Sequence, residues 1–196
     1  MVNENEILKI MKENNEIITT AKLEERGISR VYLSKMEKEG IIKRIDRGIY
    51  ITKDFKYDEY YLFQLKYPKT IFSCNTALYF YEMTERTPVK MEVTVYREYN
   101  PHRFKDFVNV YKISKELYDL GITEKESPQG MKVKTYNLER TICDIIKNKN
   151  CLDIEIRNKA IKKAIKSKEF NASKMFKYAR NMNIYDQVKN YMEAII

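Results

Sequence analysis

The 196-residue sequence predicts an α+β fold in two parts, a small segment of helices that ends in a β-hairpin and a larger mixed α/β segment with a helical C-terminal end. Apolar residues recur with helical spacing up to Glu39, and the pattern then changes to short Ile-rich strands around Asp46-Arg47-Gly48. Beyond Tyr57, aromatic helices mix with alternating strands. Three helices followed by a hairpin within residues 1–56 are typical of a winged helix-turn-helix.

The helices of the first segment are predicted from apolar stripes and from the residues that cap them. They are expected at residues 4–14, 21–26 and 30–39. Thr20 and Ser29 are expected to cap the second and third helices, because their side-chain oxygens can accept from free N–H groups. Gly27 and Gly40 are expected to end the same two helices. Residues 17–19 are interpreted as a short apolar link.

The second segment combines helices and strands. Helices are predicted at residues 57–67, 73–84 and 138–147 with two or three more before residue 196, and strands at residues 91–96, 107–113 and 131–136. Pro68 is expected to end the first of these helices, and Asn137 to cap the third. We predict two domains, residues 1–56 and residues 57–196, with no Gly/Ser-rich linker between them.

Composition excludes several classes of protein. No stretch approaches the roughly 20 apolar residues of a bilayer-spanning helix, and the polar, acidic N-terminus is not a secretory signal. Cys74, Cys143 and Cys151 fit neither zinc nor disulfide spacing, so we expect a reduced, cytoplasmic protein with no membrane partner. The net charge of the chain is +9, which favours polyanionic partners. Residues 1–56 carry a net charge of +2. Residues 132–196, with 15 basic and 7 acidic side chains, carry a net charge of +8.

The third helix has one face suited to the DNA major groove. Tyr32, Leu33 and Met36 cluster on the side expected to face the core, and Val31 lies on the opposite side among basic and small polar residues. Such residues can bind base edges and phosphates, and the hairpin adds further cations. The DNA-binding candidates are Ser29, Arg30, Ser34, Lys35 and Lys38, with Lys43, Arg44 and Arg47 on the hairpin. An ordinary solvated helix is the alternative.

A second basic surface is predicted on a helix between Asp153 and Phe170. Four lysines fall within a 100° arc on it: Lys159, Lys162, Lys163 and Lys166. They could contact phosphates with salt-dependent affinity, or they could simply keep a surface helix soluble.

Little in the sequence indicates catalysis. His102 is the only histidine, and the five glycines include no phosphate-binding loop. Glu139 and Asp144 are five residues apart and share no helix face. We therefore predict no enzyme, no catalytic residue, no metal site and no cofactor. A nuclease-like site that uses Lys90 and Glu92 is the weakest alternative.

The sequence resembles the AbiEi-type antitoxins of type IV toxin–antitoxin systems, which act in abortive phage infection. The resemblance runs from about Glu6 to Lys147. Its most specific marks are "RGIY" at residues 47–50 and "LERTICD" at residues 138–144, and "FSCNTALYFYEMTERTP" at residues 72–88 lies between them in the expected order.

This resemblance implies two activities. The winged helix would bind double-stranded DNA, at inverted repeats in the operon's own promoter, and would thereby repress the operon. The DNA-binding candidates named above would make these contacts. The C-terminal domain would counteract a nucleotidyltransferase-like toxin, without a stable complex. Glu139, Arg140 and Asp144 match the family pattern, although a buried, salt-bridged helix would also explain them. A module whose winged helix packs on a partner protein is the alternative function.

Overall fold

The computed structural model describes residues 4–149 and 151–195. The chain divides into two compact units, an N-terminal unit, Met1–Tyr57, and a C-terminal unit, Asp58–Ile196. The sequence placed this boundary one residue earlier, after Lys56. No helix within the described residues is long and apolar enough to span a membrane.

The N-terminal unit is a winged helix-turn-helix. Its elements are α1 (Glu4–Glu13), β1 (Ile17–Thr19), α2 (Thr20–Glu25), α3 (Val31–Lys38), β2 (Lys43–Asp46) and β3 (Ile49–Ile51). The strands form an antiparallel sheet in the order β1-β3-β2, with Ile17 opposite Ile51 and Lys43 opposite Ile51 on the other side. The expected hairpin is therefore present, but residues 17–19 form a strand and not a link.

One apolar core holds the helices of this unit on its sheet. α1 buries Ile7, Ile10 and Met11, and α3 buries Leu33 and Met36, all at helical spacing. The core is completed by Ile18, Leu23, Ile28, Ile42 and Tyr50. Because each helix contributes one apolar stripe to this core, the opposite stripe of α3 remains at the surface.

Two helix caps differ from the expectation by one residue. Thr19, not Thr20, caps α2, and its side chain accepts from the backbone N–H of Lys22 at 3.2 Å. The backbone N–H of Thr20 instead donates to the carbonyl of Gly48, at 2.9 Å. At α3, Arg30 occupies the cap position, and Ser29 Oγ accepts from the backbone N–H of Val31 at 3.4 Å. α3 thus starts one residue later than expected.

The C-terminal unit contains a mixed sheet and seven helices among its described residues. The elements are α4 (Glu59–Lys66), β4 (Ile71–Phe72), α5 (Cys74–Phe80), β5 (Glu92–Tyr96), β6 (Asn109–Ile113), α6 (Lys115–Tyr118), β7 (Ile122–Glu126), β8 (Lys132–Tyr136), α7 (Leu138–Lys147), α8 (Ile154–Ile165), α9 (Ala172–Asn181) and α10 (Tyr185–Ile195). The strand order is β6-β5-β4-β8-β7, with parallel pairs β5–β6 and β4–β8. β4, β7 and α6 were not predicted from the sequence. The α+β fold and the helical C-terminal end are confirmed.

Two apolar clusters stabilise the C-terminal unit. In the first, aromatic side chains of α4 pack on the sheet, and the Tyr60 ring meets the edges of Phe72 at 5.6 Å and Phe80 at 5.0 Å between centroids. The second joins α5 to α7, α8, α9 and α10. α7 is its centre, because nine of its ten residues are buried. As expected, Asn137 caps α7 and accepts from the Arg140 backbone N–H at 3.0 Å.

Candidate nucleic-acid interface

The surface of α3 carries a stripe that we name the α3 outer face, made of Val31, Ser34, Lys35 and Lys38. These residues occupy positions i, i+3, i+4 and i+7, so they lie along one side of the helix, and all four are exposed. Leu33 and Met36, on the other side, are 0% exposed. The burial of one stripe therefore presents the other to solvent.

Lys35 is held in place by two carboxylates. Its Nζ lies 2.8 Å from Glu4 Oε1 on α1 and 3.8 Å from Glu39 Oε1. The hydrogen bond that Lys35 donates to Glu4, together with the charge of Glu39, raises the pKa of Lys35 above its ordinary value, so the side chain stays protonated. An incoming phosphate or base must compete with these carboxylates for the ammonium group.

The wing is the hairpin of β2 and β3. Lys43, Arg44 and Arg47 are all exposed on it. The backbone N–H of Arg47 donates to Asp46 Oδ1 at 2.7 Å, and Arg44 Nε donates to the Asp46 carbonyl at 3.2 Å. The register shifts between Arg44 and Asp46, which is a bulge that increases the local twist.

Gly48 fixes the turn of the wing against α2. Its φ is +74°, a left-handed conformation that glycine adopts without strain. A Cβ at this position would lie 2.7 Å from Thr20 Oγ1, and the Gly48 carbonyl accepts from the Thr20 backbone N–H. The wing is thus joined to the start of α2 by close backbone contact.

All eight predicted DNA-binding residues are exposed in this unit. Ser34, Lys35 and Lys38 share the α3 outer face, Ser29 and Arg30 lie just before its first residue, and the other three lie on the wing, which residues 39–42 join to α3. This arrangement offers side-chain cations and hydroxyls to an anionic ligand. Val31 lies on the same face and is 69% exposed, but its residue type predicted no role for it.

The four lysines of α8 are also exposed, but two of them have partners within the protein. Lys163 Nζ donates to the Glu82 carbonyl at 2.5 Å, and Lys159 Nζ lies 3.8 Å from Glu85 Oε1. These contacts attach α8 to the loop that follows α5. The side chains of Lys162 and Lys166 have no hydrogen-bond or ion-pair partner among the described residues.

The family-pattern residues of α7 are part of the core. Arg140 is 1% exposed, its Nε lies 3.0 Å from Asp144 Oδ1, and its Nη1 donates to the Leu117 and Leu120 carbonyls at 2.6 and 2.8 Å. Glu139 accepts from the Asn171 backbone N–H at 2.9 Å. These contacts join α7 to the segments around α6 and α9. A structural role in the core therefore explains Glu139, Arg140 and Asp144.

Lys90 and Glu92 bind separate partners. Lys90 Nζ donates to the Asp106 carbonyl at 3.1 Å. Glu92 is buried, and its Oε2 accepts from the backbone N–H of Asn75 near the start of α5, at 3.0 Å. Burial raises the pKa of Glu92 above its ordinary value. Within residues 4–149 and 151–195, no three His, Cys, Asp or Glu side chains are grouped so as to hold a metal ion.

Comparison with known proteins identifies the N-terminal unit. The crystal structure of RV2827C protein from Mycobacterium tuberculosis is similar to 93% of this chain and 75% of that chain, with a TM-score of 0.58 and 10% sequence identity, which is a likeness of fold. Among curated proteins, none matches the chain. Residues 5–52 match a family model described as "Transcriptional regulator, AbiEi antitoxin". The expected resemblance is confirmed at residues 5–52, which match the domain of the AbiEi antitoxin transcriptional regulators. For the segments at residues 72–88 and 138–144 it stays a prediction.

Proposed function

We propose that the protein is an antitoxin and transcriptional autorepressor of a type IV toxin–antitoxin operon. The observation that carries this proposal is the family match of residues 5–52, the segment that folds as a winged helix with an exposed polar and basic α3 face. α3 enters the major groove of inverted repeats in the operon's own promoter, and the wing contacts the adjacent backbone or minor groove.

The charge of the N-terminal unit favours binding by two copies. Residues 1–56 carry a net charge of only +2, and Lys35 is already paired with carboxylates. Each side-chain cation that displaces a counterion from a DNA phosphate adds to the affinity. Two units bound to adjacent repeats would together make twice as many phosphate contacts as one unit. Lys162 and Lys166 on α8 are candidates for further phosphate contacts.

The C-terminal unit counteracts a nucleotidyltransferase-like toxin without forming a stable complex with it. We assign it no catalytic role and no cofactor, since Glu92 supports the start of α5 and Asp144 pairs with Arg140 inside the core. As a repressor of its own operon, the protein acts on DNA in the cytoplasm, as part of a defence against phage.

The two activities are testable separately in the full-length chain. One variant carries Arg30→Ala, Lys35→Ala and Arg47→Ala. We expect it to lose repression of a reporter driven by its own promoter, yet to protect cells that express the toxin. The matched control is Lys9→Ala, Lys12→Ala and Lys53→Ala, which removes three exposed positive charges outside the candidate face. This control should repress normally.

Two results would contradict the proposal. Equal repression by the two triple variants would show that α3 and the wing do not bind the promoter. Failure of the wild-type chain to protect toxin-expressing cells would remove the antitoxin role.

A winged helix that packs on a partner protein is the second candidate. The low net charge of residues 1–56 favours it. The salt dependence of the binding affinity distinguishes the two functions. Contacts with DNA phosphates weaken steeply as the salt concentration rises, whereas apolar contacts with a protein do not.

A further inference from the structure

The α3 outer face begins with a side chain that the fold does not use. Val31 is the first residue of α3, and it is 69% exposed, whereas Leu33 and Met36 on the same helix are fully buried. A β-branched residue has a low helix propensity, and it offers no oxygen to cap the first turn. Neither the packing of the core nor the start of the helix therefore explains a valine at this position.

The position of Val31 relates it to the DNA-reading residues. Val31 is followed by Ser34 and Lys35 at i+3 and i+4, so the three side chains are neighbours on the helix surface. Arg30 directly precedes it. In a helix-turn-helix, the N-terminal residues of the recognition helix are those that contact base edges. An aliphatic side chain at this place would be buried against a base when DNA is bound.

Base-pair chemistry selects the partner of such a side chain. The major groove presents hydrogen-bond donors and acceptors on every base pair, and one apolar group, the C5-methyl of thymine. An aliphatic group placed against a donor or acceptor would displace water without replacing its hydrogen bonds, which costs affinity. Against a thymine methyl, the two γ-methyl groups of valine lose no hydrogen bond and bury apolar surface.

We propose that Val31 contacts the C5-methyl group of a thymine in the operator and so selects A·T pairs at one position of each half-site. This inference rests on the proposed function. Two copies on inverted repeats place the contacted thymines at symmetric positions. The neighbouring Ser34, Lys35 and Arg30 then supply hydrogen bonds and phosphate contacts around this apolar contact.

The experiment removes the methyl group from the DNA and the side chain from the protein. Duplexes of the region upstream of the gene are made with single thymines replaced by deoxyuridine, which lacks only the C5-methyl. Their affinity for the full-length wild-type chain is compared with that of Val31→Ala and Val31→Thr. Because Val31 is exposed, neither substitution should lower the unfolding temperature below that of the wild type, which serves as the folding control.

In each half-site we expect one thymine whose single replacement by deoxyuridine weakens wild-type binding by about fourfold, the effect of one buried methyl group. Val31→Ala should bind the unmodified DNA correspondingly less tightly and should not respond to the same substitution. Val31→Thr, which keeps one methyl group, should retain part of the response.

Two failures are distinguishable. If the wild type binds the promoter specifically and Val31→Ala responds to every deoxyuridine as the wild type does, the thymine contact is wrong and the repressor role stands. If the wild type shows no preference for this DNA over a scrambled duplex, both the proposed repressor role and the contact are overturned.

Discussion

In the proposed repressor, individual side chains decide how strongly the α3 outer face attracts DNA. Lys35 provides a cation to this face, but Glu4 and Glu39 lie within 4 Å of its Nζ. Exposed ion pairs of this kind contribute little to folding, because water screens both charges. In the proposed complex with DNA their larger effect is on binding, since the phosphates would have to displace the carboxylates.

Substitution of Lys35 tests this role. We expect Lys35→Ala to weaken promoter binding, and to reduce the slope of log K against log salt by about 1 for each bound copy, because each copy loses one counterion-releasing contact. Glu4→Gln should strengthen binding, since it removes the competing charge. Mobility-shift titrations at three salt concentrations measure both changes. A Lys35→Ala chain with wild-type affinity and slope would remove Lys35 from the interface.

Cysteine reactivity should follow burial. The pKa of Cys74 is raised by its hydrogen bond with the Cys151 thiol and by burial, and burial raises the pKa of Cys143 to about 12. Because the thiolate is the reactive form, both should resist alkylation at pH 8 in the native chain, whereas the half-buried Cys151 should be labelled first. Mass spectrometry of the labelled peptides gives this order. Labelling of Cys143 at the same rate in native and denatured chains would contradict the burial.

At the scale of elements, the wing depends on one close contact of its turn with α2. Gly48 and Gly40 both have positive φ, +74° and +68°, but only Gly48 lacks space for a Cβ, which would lie 2.7 Å from Thr20 Oγ1. The two glycines are therefore a matched pair that separates backbone strain from steric contact.

We expect Gly40→Ala to lower the free energy of unfolding by about 1–2 kcal/mol, the cost of a left-handed conformation for a residue with a Cβ. Gly48→Ala should cost more, because the strain is the same and the Thr20 side chain must also move. Chemical denaturation of the full-length variants compares them. Equal destabilisation would mean that the turn and α2 are not in close contact.

The start of α5 depends on a buried carboxylate from β5. Glu92 binds the Asn75 N–H, yet burial raises its pKa above the ordinary value of 4.5. The folded chain therefore binds a proton at Glu92 more tightly than the unfolded chain does. The contribution of this group to the free energy of unfolding falls as the pH rises from 4.5 through the raised pKa.

Glu92→Gln should reduce this fall in the free energy of unfolding with rising pH, because glutamine does not titrate. Its carbonyl oxygen can still accept from the Asn75 N–H. Urea unfolding of the wild type and the variant between pH 4 and pH 8 measures the difference. If the two curves remain parallel throughout, Glu92 has the same pKa in the folded and unfolded chains.

At the scale of the whole molecule, the sequence was most informative where a pattern repeats. The helical stripe of α3 predicted which side would be buried, and Leu33 and Met36 are fully buried. The alternating residues of β5 and the glycine of the wing turn likewise predicted strand and hairpin. These features depend on neighbours in the sequence, so local reasoning was sufficient.

The missed features depend on residues distant in the sequence. β1 and β4 are three and two residues long, too short for an alternating pattern, and they form by pairing with distant strands, as Ile17 does with Ile51 and Phe72 with Thr135. Thr19 and Thr20 are equivalent as caps in the sequence. The contact of Thr20 with Gly48 decides between them.

The same limit applied to the candidate surfaces. The stripe of four lysines on α8 was predicted correctly as exposed, but the contacts of Lys159 with Glu85 and of Lys163 with Glu82 join segments about 80 residues apart in the sequence. A charged face and a structural contact look alike until the fold brings the partners together.

The most direct test of the account is a mobility-shift titration with the DNA immediately upstream of the gene. The full-length chain is titrated at two salt concentrations with scrambled DNA as competitor, beside the triple variant Arg30→Ala, Lys35→Ala and Arg47→Ala. The account predicts specific binding that weakens steeply with salt and is lost in the variant. Equal binding to promoter and scrambled DNA at both salt concentrations would contradict it, and would favour a winged helix that binds a protein.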